Sequence, residues 1–272
     1  RNDNDQYESL RGLSLKQLKE AKQVRAVHRS MAYRPTNAVS KMLKEGYIVN
    51  MPIDGKLLRN VEQIFGKPYS KLKSKAGKKR TRRIKLYDRI IDGYVAVELD
   101  VTTFYRHLFL VGCAYPYSHC KISYLGPTTS EVMVQDTASL IMAFEKIRLY
   151  YVSRDWQISY VIHDSQSGTM TDKFQNWVKR KGIMPVPLPS GDHPRRVERK
   201  QGFLKEVSRI AKTGFPTCLA HSLVPYLVSH AETQVNAAAS QSNGNQRPPQ
   251  LEIDRAAHLD FNHYYPCSFG DM

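Results

Sequence analysis

No run of about 18 apolar residues occurs anywhere in the 272-residue chain, which excludes a hydrophobic membrane-spanning helix. Only four cysteines are present, Cys113, Cys120, Cys218 and Cys267, and no two form a Cys-x-x-Cys pair. That scarcity argues against a zinc knuckle and against a disulfide framework, with a reducing interior as the default. The chain opens on Arg1 with no charged-then-apolar leader behind it. A piece processed from a longer precursor is therefore expected rather than a secreted product. Acidic residues are few: 25 Asp and Glu stand against 41 Lys and Arg, a formal charge of +16. Between Glu62 and Asp88 there is no acidic residue at all.

The stretch that lacks acids carries ten cations: Lys67, Lys71, Lys73, Lys75, Lys78, Lys79, Arg80, Arg82, Arg83 and Lys85. With Ser74 and Gly77 inside it and little apolar content, it reads as an extended linker that can grip a phosphate backbone. A nuclear import signal or a plain solvated linker is the competing reading. A surplus of this size favours a polyanion partner, most often nucleic acid, over a merely basic or ribosomal protein. An acidic membrane surface lacks the basic amphipathic helix that would support it.

Read in order, the chain begins with a polar stretch over 1–27, where Leu10, Leu13, Leu15 and Leu18 suggest a short helix. A helix with Val39, Met42 and Leu43 ends near Gly46, and a second runs from Gly55 to Phe65. Three β-rich segments follow, Tyr94–Phe104, His107–Tyr115 and Lys121–Leu125, with the short polar turns of an antiparallel meander. A long helix is expected over Thr129–Tyr151, a second buried strand over Ile158–Asp164 and a helix over Thr171–Lys181. Prolines make Met184–Pro189 extended. A basic helix from about Pro194 to Lys212 precedes an apolar one that Pro216 opens and that reaches about Ala239. From Leu251 the chain has some β potential. The sum is an α/β fold, a mixed five-stranded sheet with helices on its faces behind a small helical module. The boundaries are 1–66 for the helical module, 67–88 for the linker, 89–240 for the core and 241–272 for a truncated extension.

The chemistry concentrates in three carboxylates. Asp100 closes the apolar run Tyr94-Val-Ala-Val-Glu-Leu-Asp100, and Asp164 closes Ile158-Ser-Tyr-Val-Ile-His-Asp164. An ionised carboxylate among Val and Leu needs a partner or a metal, unless it is only a solvated strand end. Glu198 stands near the start of the basic helix, bordering a buried stripe of Val197, Leu204, Val207 and Ala211. Gln201, Lys205 and Arg209 continue along its own side. Three carboxylates at one point would raise each other's pKa, a conflict that a pair of Mg²⁺ ions resolves. Two such ions about 3.5–4 Å apart serve in-line displacement at phosphorus. Glu98 shares a strand face with Asp100 and is either a further ligand or solvent-facing. His163 points to the other side of the sheet, and His193 marks the entry to the basic helix. Asp92, Asp136, Asp155 and Asp172 fall in turns or on helices, where solvated roles are the default.

Glu98-Leu-Asp100-Val-Thr, His163-Asp164-Ser-Gln-Ser and Val197-Glu198-Arg199 together resemble the D,D-E integrase core of retroviruses and LTR retrotransposons. Glu198 follows Asp164 by 34 residues, close to the family's spacing. Arg196-Val-Glu-Arg-Lys-Gln-Gly-Phe-Leu-Lys-Glu206, with Gly214-Phe-Pro behind it, looks specifically like copia-type integrases. Val27-His-Arg-Ser-Met-Ala-Tyr-Arg-Pro35 resembles the pre-integrase module upstream of such cores. The resemblance implies an RNase H-like fold and two Mg²⁺ (or Mn²⁺) ions bound by Asp100, Asp164 and Glu198. It further implies trimming of element cDNA ends, attack of the 3′-hydroxyls on target DNA, a homo-oligomer, release from a polyprotein and action in the nucleus. Lys78, Lys79, Arg80, Arg82, Arg83, Arg195, Arg199, Lys205 and Arg209 are the expected DNA contacts. The family's upstream module usually holds zinc through two His and two Cys. Here His28 stands at the first position and Tyr33 at the second, with no cysteine before Cys113, so zinc is not expected. Two other functions stay open: a DNA-binding remnant with a degenerate site, and another RNase H-like nuclease using Glu98 as a fourth carboxylate.

Overall fold

The computed structural model describes residues 15–53, 92–128, 136–164, 171–188, 194–213, 219–238 and 247–265. The expected helix over Gly55–Phe65 and the basic stretch 67–88 lie outside them, as do His193 and Gly214-Phe-Pro. The chain divides into two compact units, one of 1–79, 206–218 and 257–272, the other of 80–205 and 219–256.

In the first unit, α1 (Leu15–Ser30) and α2 (Thr36–Lys44) precede the short strand β1 (Ile48–Val49). The α1 sequence holds no Gly or Pro and is rich in Leu, Lys, Gln, Glu and Ala, good helix formers that carry it past the expected end. Val39 and Met42 bury one side of α2. His28 is fully buried, and its Nε2 meets the Arg34 carbonyl at 2.7 Å, with the Tyr33 ring edge-on.

The second unit is built on one sheet. β2 (Tyr94–Phe104), β3 (His107–Tyr115) and β4 (His119–Pro127) form the meander. α3 (Thr137–Val152), β5 (Gln157–His163), α4 (Asp172–Arg180) and β6 (Met184–Pro187) then alternate, before α5 (Arg195–Thr213) and α6 (Val224–Asn236). The strand order is β4-β3-β2-β5-β6, with β2 in the centre, antiparallel to β3 and parallel to β5. This is the mixed five-stranded α/β sheet flanked by helices that the sequence predicts.

One sheet face packs the core. Val95, Val97 and Leu99 of β2 meet Leu140, Phe144, Ile147 and Tyr151 of α3 and Phe174 and Val178 of α4, all of them buried. Each such side chain contributes about 1.5–3 kcal/mol of transfer free energy. Gly112 on β3 allows the closest approach: a Cβ there would stand 3.1 Å from Val97 and 3.3 Å from Ile147. Helix starts follow their caps. Asp136 accepts from the Ala138 N–H, which begins α3 well inside the expected span, and Thr171 accepts from the Phe174 N–H. The predicted helix at Pro216 instead begins at Val224 with Pro225 in its first turn.

Both sheet edges are protected. On β6, the Leu188 N–H reaches the His163 carbonyl, so even-numbered residues donate toward β5. Pro185 and Pro187 then face outward without an N–H, which blocks pairing of a further strand. At β4, the Asn236 side chain accepts from the Cys120 N–H (2.8 Å) and donates to its carbonyl (2.6 Å). Lys121 pairs with Glu232 of α6 at 2.6 Å.

The stretch read as one extension from 241 is divided. α7 (Pro249–Ile253) joins the sheet unit, where Ile253 enters the core and the Trp156 Nε1–H donates to its carbonyl. Gln250 meets His119 Nε2 at 3.1 Å, while His119 Nδ1 lies 3.1 Å from the Tyr151 hydroxyl. Beyond it, β7 (Leu259–Asp260) pairs parallel with β1 in the other unit and leads into α8 (Phe261–Tyr264). There Tyr265 stacks on Phe261, and its hydroxyl hydrogen-bonds the buried Arg34 guanidinium. The β potential at Leu251 was therefore helix, and the strand begins only at Leu259.

Burial holds the His119 imidazole neutral, with its pKa lowered to about 3. A histidine lowered on folding stabilises the native state above its unfolded pKa near 6.5, and that stability is lost as pH falls toward the folded value. Between pH 7 and 5.5 this one group should cost about 1 kcal/mol. Urea melts at the two pH values should show that loss, and His119→Gln should be less stable at pH 7 yet lose less on acidification.

Candidate active site

The parallel ladder of β2 and β5 pairs Leu99 with His163. The next residue on each strand is a carboxylate, Asp100 on β2 and Asp164 just past β5, and both are half-buried. Asp100 and Asp164 thus directly follow a paired couple, although β2 continues past Asp100 to Phe104 and Asp100 is not at the strand's end. His163 pairs beside Leu99 and is fully buried; its Nδ1 lies 3.2 Å from the Asp164 carbonyl.

α5 lies along the opposite face of β2 from the α3–α4 core and runs in the same direction. Glu98 meets its first turn at Arg196 and Val197, Asp100 meets Gln201, and the Lys205 ammonium sits 5.7 Å from the Phe104 ring. Even-numbered β2 residues share that face because side chains alternate along a strand. The buried stripe of α5 is Val197, Gln201, Leu204 and Ser208, at helical spacing. Val207 and Ala211, expected in the stripe, are half-buried at its margin.

Two contacts fix this helix. Asp100 Oδ1 accepts from the Val101 N–H at 2.8 Å and Oδ2 from the Gln201 side-chain amide at 2.9 Å. Glu98, 6% exposed, accepts through Oε2 from the backbone N–H groups of Arg196 (2.8 Å) and Val197 (3.2 Å). Its Oε1 accepts from the Arg196 guanidinium at 3.2 Å, and that guanidinium lies 3.9 Å from the Tyr115 ring. Burial pushes the Glu98 carboxyl up, while Arg196 and the two backbone N–H groups pull it back. Glu98 thus faces neither solvent nor an open ligand position.

Glu198 stands between these two contacts, three residues before Gln201 and exposed. At i, i+3 the two side chains share one flank of the helix. Among the described residues, no three His, Cys, Asp or Glu side chains are grouped closely enough to hold a metal ion. Glu198 is therefore not grouped with Asp100 and Asp164. The donor set of three carboxylates fits a hard cation that prefers oxygen.

Arg195, Arg199 and Arg209 are exposed on α5, and Lys205 is half-buried. Lys78, Lys79, Arg80, Arg82 and Arg83 lie outside the described residues. Cys113 and Cys120 are buried free thiols on β3 and β4; burial pushes the Cys113 thiol up to about 12, so it is inert. No helix among the described residues is long and apolar enough to cross a membrane. Sequence reading missed the Gln201–Asp100 hydrogen bond and the clamp at Glu98. Parity along β2 was the signal for both, since it places Glu98 and Asp100 on the face a basic helix must cover.

No family model matches the chain, and no curated protein does. Among solved structures, the catalytic core domain of BIV integrase aligns at 13% identity with a TM-score of 0.44, over 59% of this chain and 94% of that one. A chain of the simian T-cell lymphotropic virus intasome, solved with the PP2A regulatory subunit B56 gamma, aligns at 11% identity with a TM-score of 0.51. That match covers 74% of this chain and 67% of the other, and it shows a shared fold.

The Asp100–Gln201 contact should be measurable by a double-mutant cycle on Asp100→Ala and Gln201→Ala. A charge-assisted but half-exposed hydrogen bond predicts a coupling energy of about 1 kcal/mol in urea unfolding. A coupling of zero would mean that the two side chains do not hold each other in solution.

Proposed function

We propose that this chain is a polynucleotidyl transferase of the integrase kind, from a copia-type LTR retrotransposon, that trims the 3′ ends of element cDNA and joins them to target DNA. The observation that carries the reading is the β2–β5 register, in which Asp100 and Asp164 directly follow the paired Leu99 and His163, together with the bond from Gln201 of the helix that bears Glu198 to Asp100. The fold shared with an intasome chain supports it, as does the charge of +16. Asp100, Asp164 and Glu198 are the groups that would hold two Mg²⁺ or Mn²⁺ ions. The chemistry such a pair supplies is activation of the attacking oxygen and neutralisation of charge at phosphorus.

The chain's own residues do the rest. Asp100, on the central strand, and Asp164, on its parallel neighbour, are held by the sheet. Gln201 orients the Asp100 carboxylate. Arg195, Arg199, Lys205 and Arg209 on α5, with Lys78, Lys79, Arg80, Arg82 and Arg83 of the basic stretch, would neutralise phosphates without reading bases. Joining two DNA ends to one target needs at least two active sites, so a homo-oligomer on DNA belongs to the proposal. Release from a polyprotein and action in the nucleus belong to it as well. No zinc is assigned to His28, whose Nε2 already meets the Arg34 carbonyl.

One observation favours a second reading. Because Glu198 is exposed and ungrouped, a DNA-binding remnant with an inactive site is the alternative. The nuclease reading that needs Glu98 as a fourth ligand loses support, since that carboxylate is committed to α5.

Strand-transfer assays with an oligonucleotide end, Mg²⁺ or Mn²⁺ and a plasmid target separate the two. Wild type should join ends, while Asp164→Asn and Glu198→Gln should each fall by more than about a hundredfold with DNA affinity unchanged. Equal inactivity of all three proteins, with equal DNA binding, would establish the remnant.

A further inference from the structure

The start of α5 is unusual in its N-cap residue. Pro194 occupies the position before its first helical residue, and proline offers no side-chain acceptor. The first turn of any helix leaves its N–H groups without intrahelical partners. Here the first backbone N–H to find one is that of Glu198, which reaches the Pro194 carbonyl at 3.1 Å. The two preceding N–H groups, of Arg196 and Val197, both point at Oε2 of Glu98. A carboxylate from the central strand therefore does what an N-cap side chain would ordinarily do. It also gains the favourable field at a helix N-terminus.

The location of this cap has a consequence that a local cap would not have. Glu98 lies two residues before Asp100 on the same face of β2. It holds Arg196 and Val197, the residues immediately before Glu198. The half-buried guanidinium contact and the stacking of Arg196 on Tyr115 of β3 resist rotation of the helix end. Five residues further along, Gln201 makes another hydrogen bond from α5 to β2, and its acceptor is Asp100 itself. A cation bound by Asp100 draws on the same carboxylate that Gln201 holds. Glu98 is then the tie that does not compete with the metal.

We propose that Glu98 is a positioning residue for the metal site: it fixes the start of α5 to the central strand so that Glu198 is presented toward Asp100 and Asp164, and it does not bind metal itself. The inference rests on the proposed metal-dependent reading of the three carboxylates. Glu98→Gln keeps the size and one acceptor oxygen, but turns an amide N–H₂ toward the Arg196 guanidinium, donor against donor.

The test compares wild type, Asp100→Asn, Glu98→Gln and Glu98→Gln/Pro194→Ser, all as the full chain. Three readouts are taken: thermal melting by circular dichroism, Mn²⁺ binding by the electron paramagnetic resonance of free Mn²⁺, and end joining against Mn²⁺ concentration. Glu98→Gln should stay folded, bind Mn²⁺ about tenfold more weakly, and need about tenfold more Mn²⁺ for half-maximal joining. Its rate should recover at saturating Mn²⁺, unlike that of Asp100→Asn. Pro194→Ser supplies a local cap, so the double variant should regain melting temperature without regaining Mn²⁺ affinity. Affinity that returns together with stability would make Glu98 a structural cap only and overturn the proposal. So would a Glu98→Gln protein indistinguishable from wild type, or one that high Mn²⁺ fails to rescue, which would make Glu98 a ligand. A wild type that neither binds Mn²⁺ nor joins ends would remove the metal-dependent reading itself, and the positioning role with it.

Discussion

The attachment of α5 to the central strand through two carboxylates is the constraint on which the candidate site depends. β2 must carry Glu98 and Asp100 on one face while Val95, Val97 and Leu99 fill the core on the other. A strand of this kind has one dry side and one side that needs partners for its charges. α5 supplies them: two first-turn backbone N–H groups and a guanidinium for Glu98, and an amide for Asp100. Burying Glu98 unpaired would cost several kcal/mol, so the helix is held where its donors are. The site is a consequence of how this strand satisfies its carboxylates.

The parallel pairing of β2 with β5 provides the other half. Register in a sheet is set by which residues must face the core, because a slip of one residue would turn every side chain to the wrong side. Val97 and Leu99 on one strand and Val161 on the other fix it, and the aspartates that follow Leu99 and His163 are placed by that register. Core packing and site geometry therefore share one cause. The protected edges at Asn236 and at Pro185 and Pro187 keep the sheet at five strands.

Much of this was legible in the residues. The strands Tyr94–Phe104 and His107–Tyr115 follow directly from their β-branched and aromatic runs, and their limits match the structure. Asp100 and Asp164 stood out because each ends an apolar run. What escaped was long-range or carried by local caps. Glu98 looked like a possible ligand because strand parity cannot say which helix covers a face. The starts of α3 and α6 were misplaced because Asp136 and Pro225 act through capping geometry, not apolar periodicity. The segment around Leu251 was ambiguous because Leu and Ile two apart suit either period; packing beside Trp156 decided for helix. Gln201 read as one of a row of polar residues, yet it is buried, since its amide has an aspartate to meet.

The central claim is that Asp100, Asp164 and Glu198 form one metal site with Glu98 outside it. Soaking crystals of the protein with Mn²⁺ and locating the ion by its anomalous scattering tests this most directly. The account predicts Mn²⁺ in contact with Asp100 and Asp164, with Glu198 turned toward it and Glu98 still on the Arg196 and Val197 N–H groups. Mn²⁺ coordinated by Glu98, or none beside Asp100 and Asp164 in well-ordered, fully soaked crystals, would contradict it.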